Sequence, residues 1–161
     1  MRSVDPRKIV VIEPTYGDTS IAGKLADFSN LTHRTNVVWS IHDYFAGGDG
    51  DGYGPDGRQA GRYTFDGRTG YRTPDPHALE AHLLVQLTKT RAAGLPMWIG
   101  EFGIGDGVPG HDRWIADQTA LFARYGLGHA WWEYHTTGPL SATTGAFRWK
   151  PWVSLLTGRG R

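Results

Sequence analysis

The sequence predicts an α/β fold built on a parallel sheet, and two features carry that expectation. Short apolar runs rich in β-branched and aromatic residues recur four times, separated by segments of helical spacing. That alternation is the mark of strand–helix–strand units with crossover helices. Each run is apolar nearly throughout, as in parallel strands covered on both faces, and each ends in polar or aromatic groups: Glu13; His42 with Tyr44; Glu101; Trp132 with Tyr134. If the strands are parallel, these groups converge on one mouth. No Gly-rich phosphate-binding fingerprint follows the first run, which argues against a nucleotide-binding doubly wound sheet. A (β/α)8 barrel typically needs about 250 residues, so four units in 161 residues amount to half a barrel.

In chain order, residues 8–13 (Lys-Ile-Val-Val-Ile-Glu) read as a first buried strand that starts almost at the first residue, with Pro14 ending it. Residues 17–20 are a turn and 21–28 a short helix. Residues 36–44 (Asn-Val-Val-Trp-Ser-Ile-His-Asp-Tyr) form the second strand. Residues 46–76, crowded with Gly, Asp, Arg and Tyr, read as a long loop over the binding face, where Tyr53, Tyr63, Phe65 and Tyr71 contact substrate. Loops of this length inside a compact domain are usually functional or disordered. Asp49-Gly50-Asp51-Gly52 has a calcium-loop flavour, but the twelfth position from Asp49 is Ala60 where an EF-hand needs Glu.

Asp75-Pro76 opens a helix through 93, with Leu79, Leu83, Leu84 and Leu87 on one face and Gly94 ending it. Pro96 begins the third strand, whose apolar run leads into Glu101 between Gly100 and Phe102-Gly103. After a Gly-rich turn at 105–110, Asp112 is placed to cap a helix reaching 125, with Ile115, Thr119 and Phe122 buried. Residues 129–135 form the fourth strand, 136–147 a loop, and 149–156 a short last helix with Pro151 in its first turn.

Composition narrows the function. A net charge of +1 with scattered Lys and Arg gives no footprint for nucleic acid or an anionic membrane. The absence of Cys removes disulfides, thiol nucleophiles and Cys-based metal sites. No stretch is apolar enough to span a membrane, and Met1–Pro6 lacks the apolar core of a secretory signal. Seven Trp, seven Tyr and six Phe are many for this length; they suit a core and also a surface that stacks on sugar rings. A carboxylate at the end of a buried strand is costly to desolvate unless paired. With Glu101, a His, a Tyr and a Trp converging at one mouth, the pattern is a sugar site. The Trp stacks under the ring, the Tyr hydroxyl holds the carboxylate ionised, and the His bonds hydroxyls or tunes the acid.

These residues also carry a resemblance. His42-Asp43-Tyr44 resembles the sixth strand of glycoside hydrolase family 5, the cellulase family. Trp98-Ile99-Gly100-Glu101-Phe102-Gly103 resembles its seventh, residues 130–134 its eighth, and residues 5–14 its fifth. The resemblance runs the length of the chain and implies that residues 1–161 are the C-terminal half of the catalytic barrel. It implies Glu101 as nucleophile, His42 and Tyr44 lining the cleaved-bond subsite, and Trp132, rather than Trp131, as sugar platform. The implied activity is retaining hydrolysis of β-glycosidic bonds, with two carboxyls about 5–5.5 Å apart, no cofactor and no metal. The implied partners are a β-linked glycan and the missing N-terminal half, or a second copy through open sheet edges; secretion fits the family. The family's acid/base Glu belongs to an Asn-Glu-Pro motif on the fourth strand, which this sequence lacks. Ile12-Glu13-Pro14 mimics that motif with Ile for Asn, on the fifth strand; Glu133 should face away from the mouth. Two other readings compete: a non-catalytic carbohydrate-binding chain using the aromatic mouth, and a metal-dependent hydrolase with His42, Asp43, His129 and His135 as ligands, whose spacing matches no compact motif.

Overall fold

A computed structural model describes residues 5, 7–13, 34–45, 52–53, 59–60, 71 and 74–157. The expected helix at 21–28, the Asp49–Asp51 acids, Tyr63 and Phe65 lie outside the described residues. Within them the chain forms β1 (Val10–Ile12), β2 (Val37–Asp43), β3 (Gly52–Tyr53), β4 (Gln59–Ala60), α1 (Pro76–Ala92), β5 (Met97–Phe102), α2 (His111–Tyr125), β6 (His129–Trp131) and a 3₁₀ helix (Pro151–Thr157). The main sheet is parallel in the order β1-β2-β5-β6. Strand order therefore follows chain order, as in a barrel; a doubly wound sheet would reverse at a switch point. The segment expected to be one long loop carries a small antiparallel ribbon, β3 with β4.

The helices cover one face of the sheet. Asp75 caps α1, its carboxylate accepting the Ala78 N–H at 2.9 Å, with Pro76 at the first helical position. Leu79, Leu83 and Leu87 are buried, and Leu84 is partly buried against the same core. Gly94, at φ +68°, takes the left-handed turn that ends the helix. Ile41, Ile99, Phe102, Trp114, Ile115 and Phe122 belong to the same core. Phe102 lies at its centre, meeting Phe122, His129 and Trp131 edge-on at 5.1–5.2 Å.

Further expectations change. The first strand, expected to be buried, leaves Ile9 and Val11 exposed at the sheet edge. Asp112 does not cap α2. Gly110 does, at φ +79°, with no side-chain cap bond; a Cβ there would stand 2.0 Å from the Tyr71 carbonyl oxygen. The close approach of residue 71 thus decides where the helix starts, and Asp112 serves in the first turn, where an acid complements the dipole. Tyr71 is not a substrate contact among the described residues. It is 1% exposed, its N–H donates to the Pro109 carbonyl, and its hydroxyl donates to Asp117 at 3.0 Å. Burial, then that bond, push its pKa up. The fourth strand ends at Trp131 rather than 135. The Trp132–Glu133 peptide is cis, and Glu133, clear of the strand, accepts from the Thr136 hydroxyl at 2.5 Å.

Candidate active site

The face of the sheet opposite the helices carries the polar groups. On β2, Ile41 and Asp43 point to the helices while Ser40, His42 and then Tyr44 alternate to the other side. Glu101 would fall out of phase with His42 in a regular ladder, because Ile41 pairs with Ile99. The register slips there: the next pair is His42 with Glu101, leaving Gly100 as an extra residue on β5. That bulge aims Glu101 at the same side as His42.

The resulting cluster is tight. The Tyr44 hydroxyl donates to Glu101 Oε2 at 2.7 Å, and His42 Nδ1 lies 3.3 Å from the same oxygen. The hydroxyl and the imidazole thus converge on one carboxylate oxygen. On the other side of the imidazole, His42 Nε2 lies 3.9 Å from Glu13 Oε1, which accepts the Ser40 hydroxyl at 2.9 Å. His42 Nε2 is itself buried and makes no hydrogen bond. Two carboxylates therefore flank one histidine. Gly100 makes the room: a Cβ there would meet Ser40 Oγ at 2.2 Å and Glu13 Oε1 at 3.0 Å. Glu101 and His42 are each about a quarter exposed, and Glu13 about half.

Trp132 stands beside this cluster. Its N–H donates to the Phe102 carbonyl at 2.9 Å, and the residue is 45% exposed. Trp131 points the other way, into the core, where its indole N–H donates to the Leu140 carbonyl. Gly103 lets the segments close up, since a Cβ would meet the Trp132 carbonyl oxygen at 2.7 Å and the Tyr44 ring at 3.5 Å.

Behind the sheet lies a second polar cluster. Asp43 is 1% exposed; its Oδ1 accepts the Phe45 N–H at 3.1 Å and lies 3.9 Å from His82 Nε2. The Phe45 ring stacks on His82 at 4.4 Å, and the Phe45 carbonyl accepts from the Trp114 indole (2.8 Å) and Gln118 (3.4 Å). Burial pushes the pKa of Asp43 above the usual carboxylate value; the His82 charge and the bonds from Phe45 and Gln118 pull it back in part. The cluster pins residues 43–45, and Tyr44 between them is aimed at Glu101.

The four ligands of the metal reading are not brought together. His42 and Asp43 face opposite sides of β2, His129 packs on Phe102 and Phe122, and His135 stacks on Phe147. Among the described residues no three His, Asp or Glu side chains are grouped to hold an ion, and no helix is long and apolar enough to cross a membrane. Ser40 and the Gly100 bulge escaped the sequence reading. A Ser inside an otherwise apolar strand, two residues before the His, was the available signal.

No family model matches the sequence, and no curated protein matches it. Solved structures do. The chain superposes on an endoglucanase over 99% of its length, at 16% identity and a TM-score of 0.67, covering 50% of that chain. The fold is that of half an endoglucanase barrel. Endoglucanase Cel5A from Thermotoga maritima matches at 16% identity and a TM-score of 0.69, over 98% of this chain and 49% of that one. ZgEngAGH5_4, solved with a cellotriose, matches at 17% and 0.71, over 99% and 46%. The chain spans about half the length of the structures it matches, and a four-stranded parallel sheet is what half of an eight-stranded barrel contains.

Proposed function

We propose that this chain supplies the nucleophile side of a retaining β-glycosidase site, residues 1–161 forming the C-terminal half of the catalytic barrel. The observation that carries the reading is the Tyr44–Glu101–His42 contact: a strand-end carboxylate that accepts a hydroxyl at 2.7 Å and lies 3.3 Å from an imidazole nitrogen. Glu101 attacks the anomeric carbon of a β-linked glucan, the bond to the leaving oxygen breaks, and a glycosyl ester forms. Water then cleaves the ester and restores the carboxylate. His42 and Tyr44 line the subsite of the cleaved bond, and Trp132 is the platform under the sugar. The leaving oxygen needs a proton, and no Asn-Glu-Pro acid is present in this sequence. That acid comes from the other half of the barrel; within this chain Glu13 is the first candidate to replace it. The edge strands β1 and β6 and the exposed Ile9, Val11 and Trp98 support docking of such a half, or of a second copy.

An activated glycoside tests the nucleophile without the acid. A dinitrophenyl 2-deoxy-2-fluoro-β-cellobioside, whose leaving group needs no proton, should label the chain at Glu101, read by mass spectrometry of the digested protein. Glu101→Gln should lower the labelling rate by about 10³-fold or more. Label on another residue, or undiminished labelling of Glu101→Gln, would overturn the assignment. The half-length span favours a second reading, a chain that binds β-glucan without turning it over; it predicts oligosaccharide binding with no label and no release of reducing ends.

A further inference from the structure

Beyond the mouth, the segment after β6 folds back as a hairpin whose sequence works against its own backbone. Thr143 pairs with Trp149 across an antiparallel bridge, Thr144 N–H donates to the Arg148 carbonyl at 2.8 Å, and Phe147 N–H donates to the Thr144 carbonyl at 2.9 Å. This is a type I turn followed by a left-handed residue, the place where hairpins of this kind prefer Gly. Phe147 occupies it at φ +55° and is 63% exposed. A bulky residue with positive φ is strained, and an exposed ring gains little from burial. Strain that folding does not require points to a function for the side chain.

The ring has company. His135 stacks beneath Phe147 at 3.7 Å, and the His135 ring is fixed by Thr143, whose hydroxyl donates to the Tyr134 carbonyl and lies 2.6 Å from His135 Nδ1. Trp149, 62% exposed, meets Tyr134, 59% exposed, edge-on at 5.4 Å. With Trp132, these are most of the exposed large apolar side chains among the described residues, and all are aromatic. The hairpin is tied to the mouth by Ala142 N–H on the Glu133 carbonyl (2.8 Å) and Glu133 N–H on the Leu140 carbonyl (3.2 Å).

We propose that Tyr134, Phe147 and Trp149 form a second sugar platform, continuous with Trp132, that takes units of a β-linked glucan beyond those at Glu101. A pyranose offers a flat face of C–H bonds and a rim of hydroxyls. Here the complement is a backed, immobilised ring with the exposed Thr144 and Arg148 beside it. The assignment deepens the glycosidase reading and rests on it for the choice of glycan.

Calorimetric titration of the full chain with cellobiose and cellohexaose tests it. Cellohexaose should bind at least tenfold tighter than cellobiose. Trp149→Ala and Phe147→Gly should each cost about tenfold on cellohexaose and little on cellobiose. Phe147→Gly also relieves the positive φ, so its melting temperature should hold or rise, which separates lost stacking from unfolding. Equal affinities in all three proteins, or no cellohexaose binding in the millimolar range, would overturn the platform. So would variants whose only change is weaker self-association in sedimentation, which would make the patch a subunit contact. Labelling of Glu101 in the unaltered chain reports separately: no label with a retained cellohexaose loss removes the catalytic reading and leaves the platform.

Discussion

Two carboxylates in this chain sit almost side by side across two strands and live in opposite worlds. Glu101, on the open face, is partly solvated and holds one short hydrogen bond from Tyr44. Asp43, on the helix face of β2, is sealed beneath α1 and α2, with its Oδ1 bonded to the Phe45 N–H. Strand alternation alone separates them, since His42 and Tyr44 go to one face and Asp43 to the other. The lesson is that polarity in a strand does not mark the open face. The open carboxylate stands on the side of the sheet that solvent reaches. The buried one is committed to structure, fixing the chain that carries Tyr44.

The comparison breaks most sharply under substitution. Asp43→Ala leaves the Phe45 N–H without its acceptor and a gap between two helices, and should lower unfolding free energy by about 2–3 kcal/mol in urea titrations. Glu101→Gln, at a part-open site, should stay within about 1 kcal/mol of the unaltered chain. Similar losses for both would mean the two carboxylates are not divided between chemistry and structure as described. A smaller effect sharpens the open side. Tyr44→Phe keeps the ring and removes the bond to Glu101, so labelling by the activated fluoroglycoside should slow about tenfold with a stability change of about 1 kcal/mol or less.

The smallest effect is a pH slope. Burial raises the folded-state pKa of Asp43 above its unfolded value, so the folded protein binds that proton more tightly. The resulting stabilisation is complete below the unfolded value, about 4, and is lost as pH rises through the folded one. Asp43→Asn keeps an oxygen for Phe45 and removes the titration. Its urea midpoint should fall less than that of the unaltered chain as pH is raised from about 4 towards neutrality. Parallel curves would show that Asp43 does not titrate differently in the folded and unfolded protein.

Much of this was legible from residue order. The Asp75-Pro76 start of α1, its Leu79–Leu83–Leu87 stripe and the Gly94 stop are local chemistry, and the structure keeps them. The four parallel strands followed from their apolar runs. The cap of α2 was not legible, because Gly110 is selected by the main chain of Tyr71 pressing on it. Tyr71 itself read as a binding-face aromatic in a Gly-rich segment, yet it lies against α2, a contact made by residues some forty positions away.

The sequence by itself determined the alternation of strand and helix and which polar and aromatic groups stand at or near the strand ends: Glu13, His42 with Tyr44, Glu101, and Trp132 with Tyr134. Tertiary structure decided what they do to one another. The slip at Gly100 turns Glu101 towards His42, and the missing Cβ there admits Ser40 and Glu13. The end of β6 at Trp131 frees the next residues to build the aromatic hairpin. Register and close approach are properties of neighbouring chains rather than of any one stretch, which is why the pattern of residues alone does not contain them.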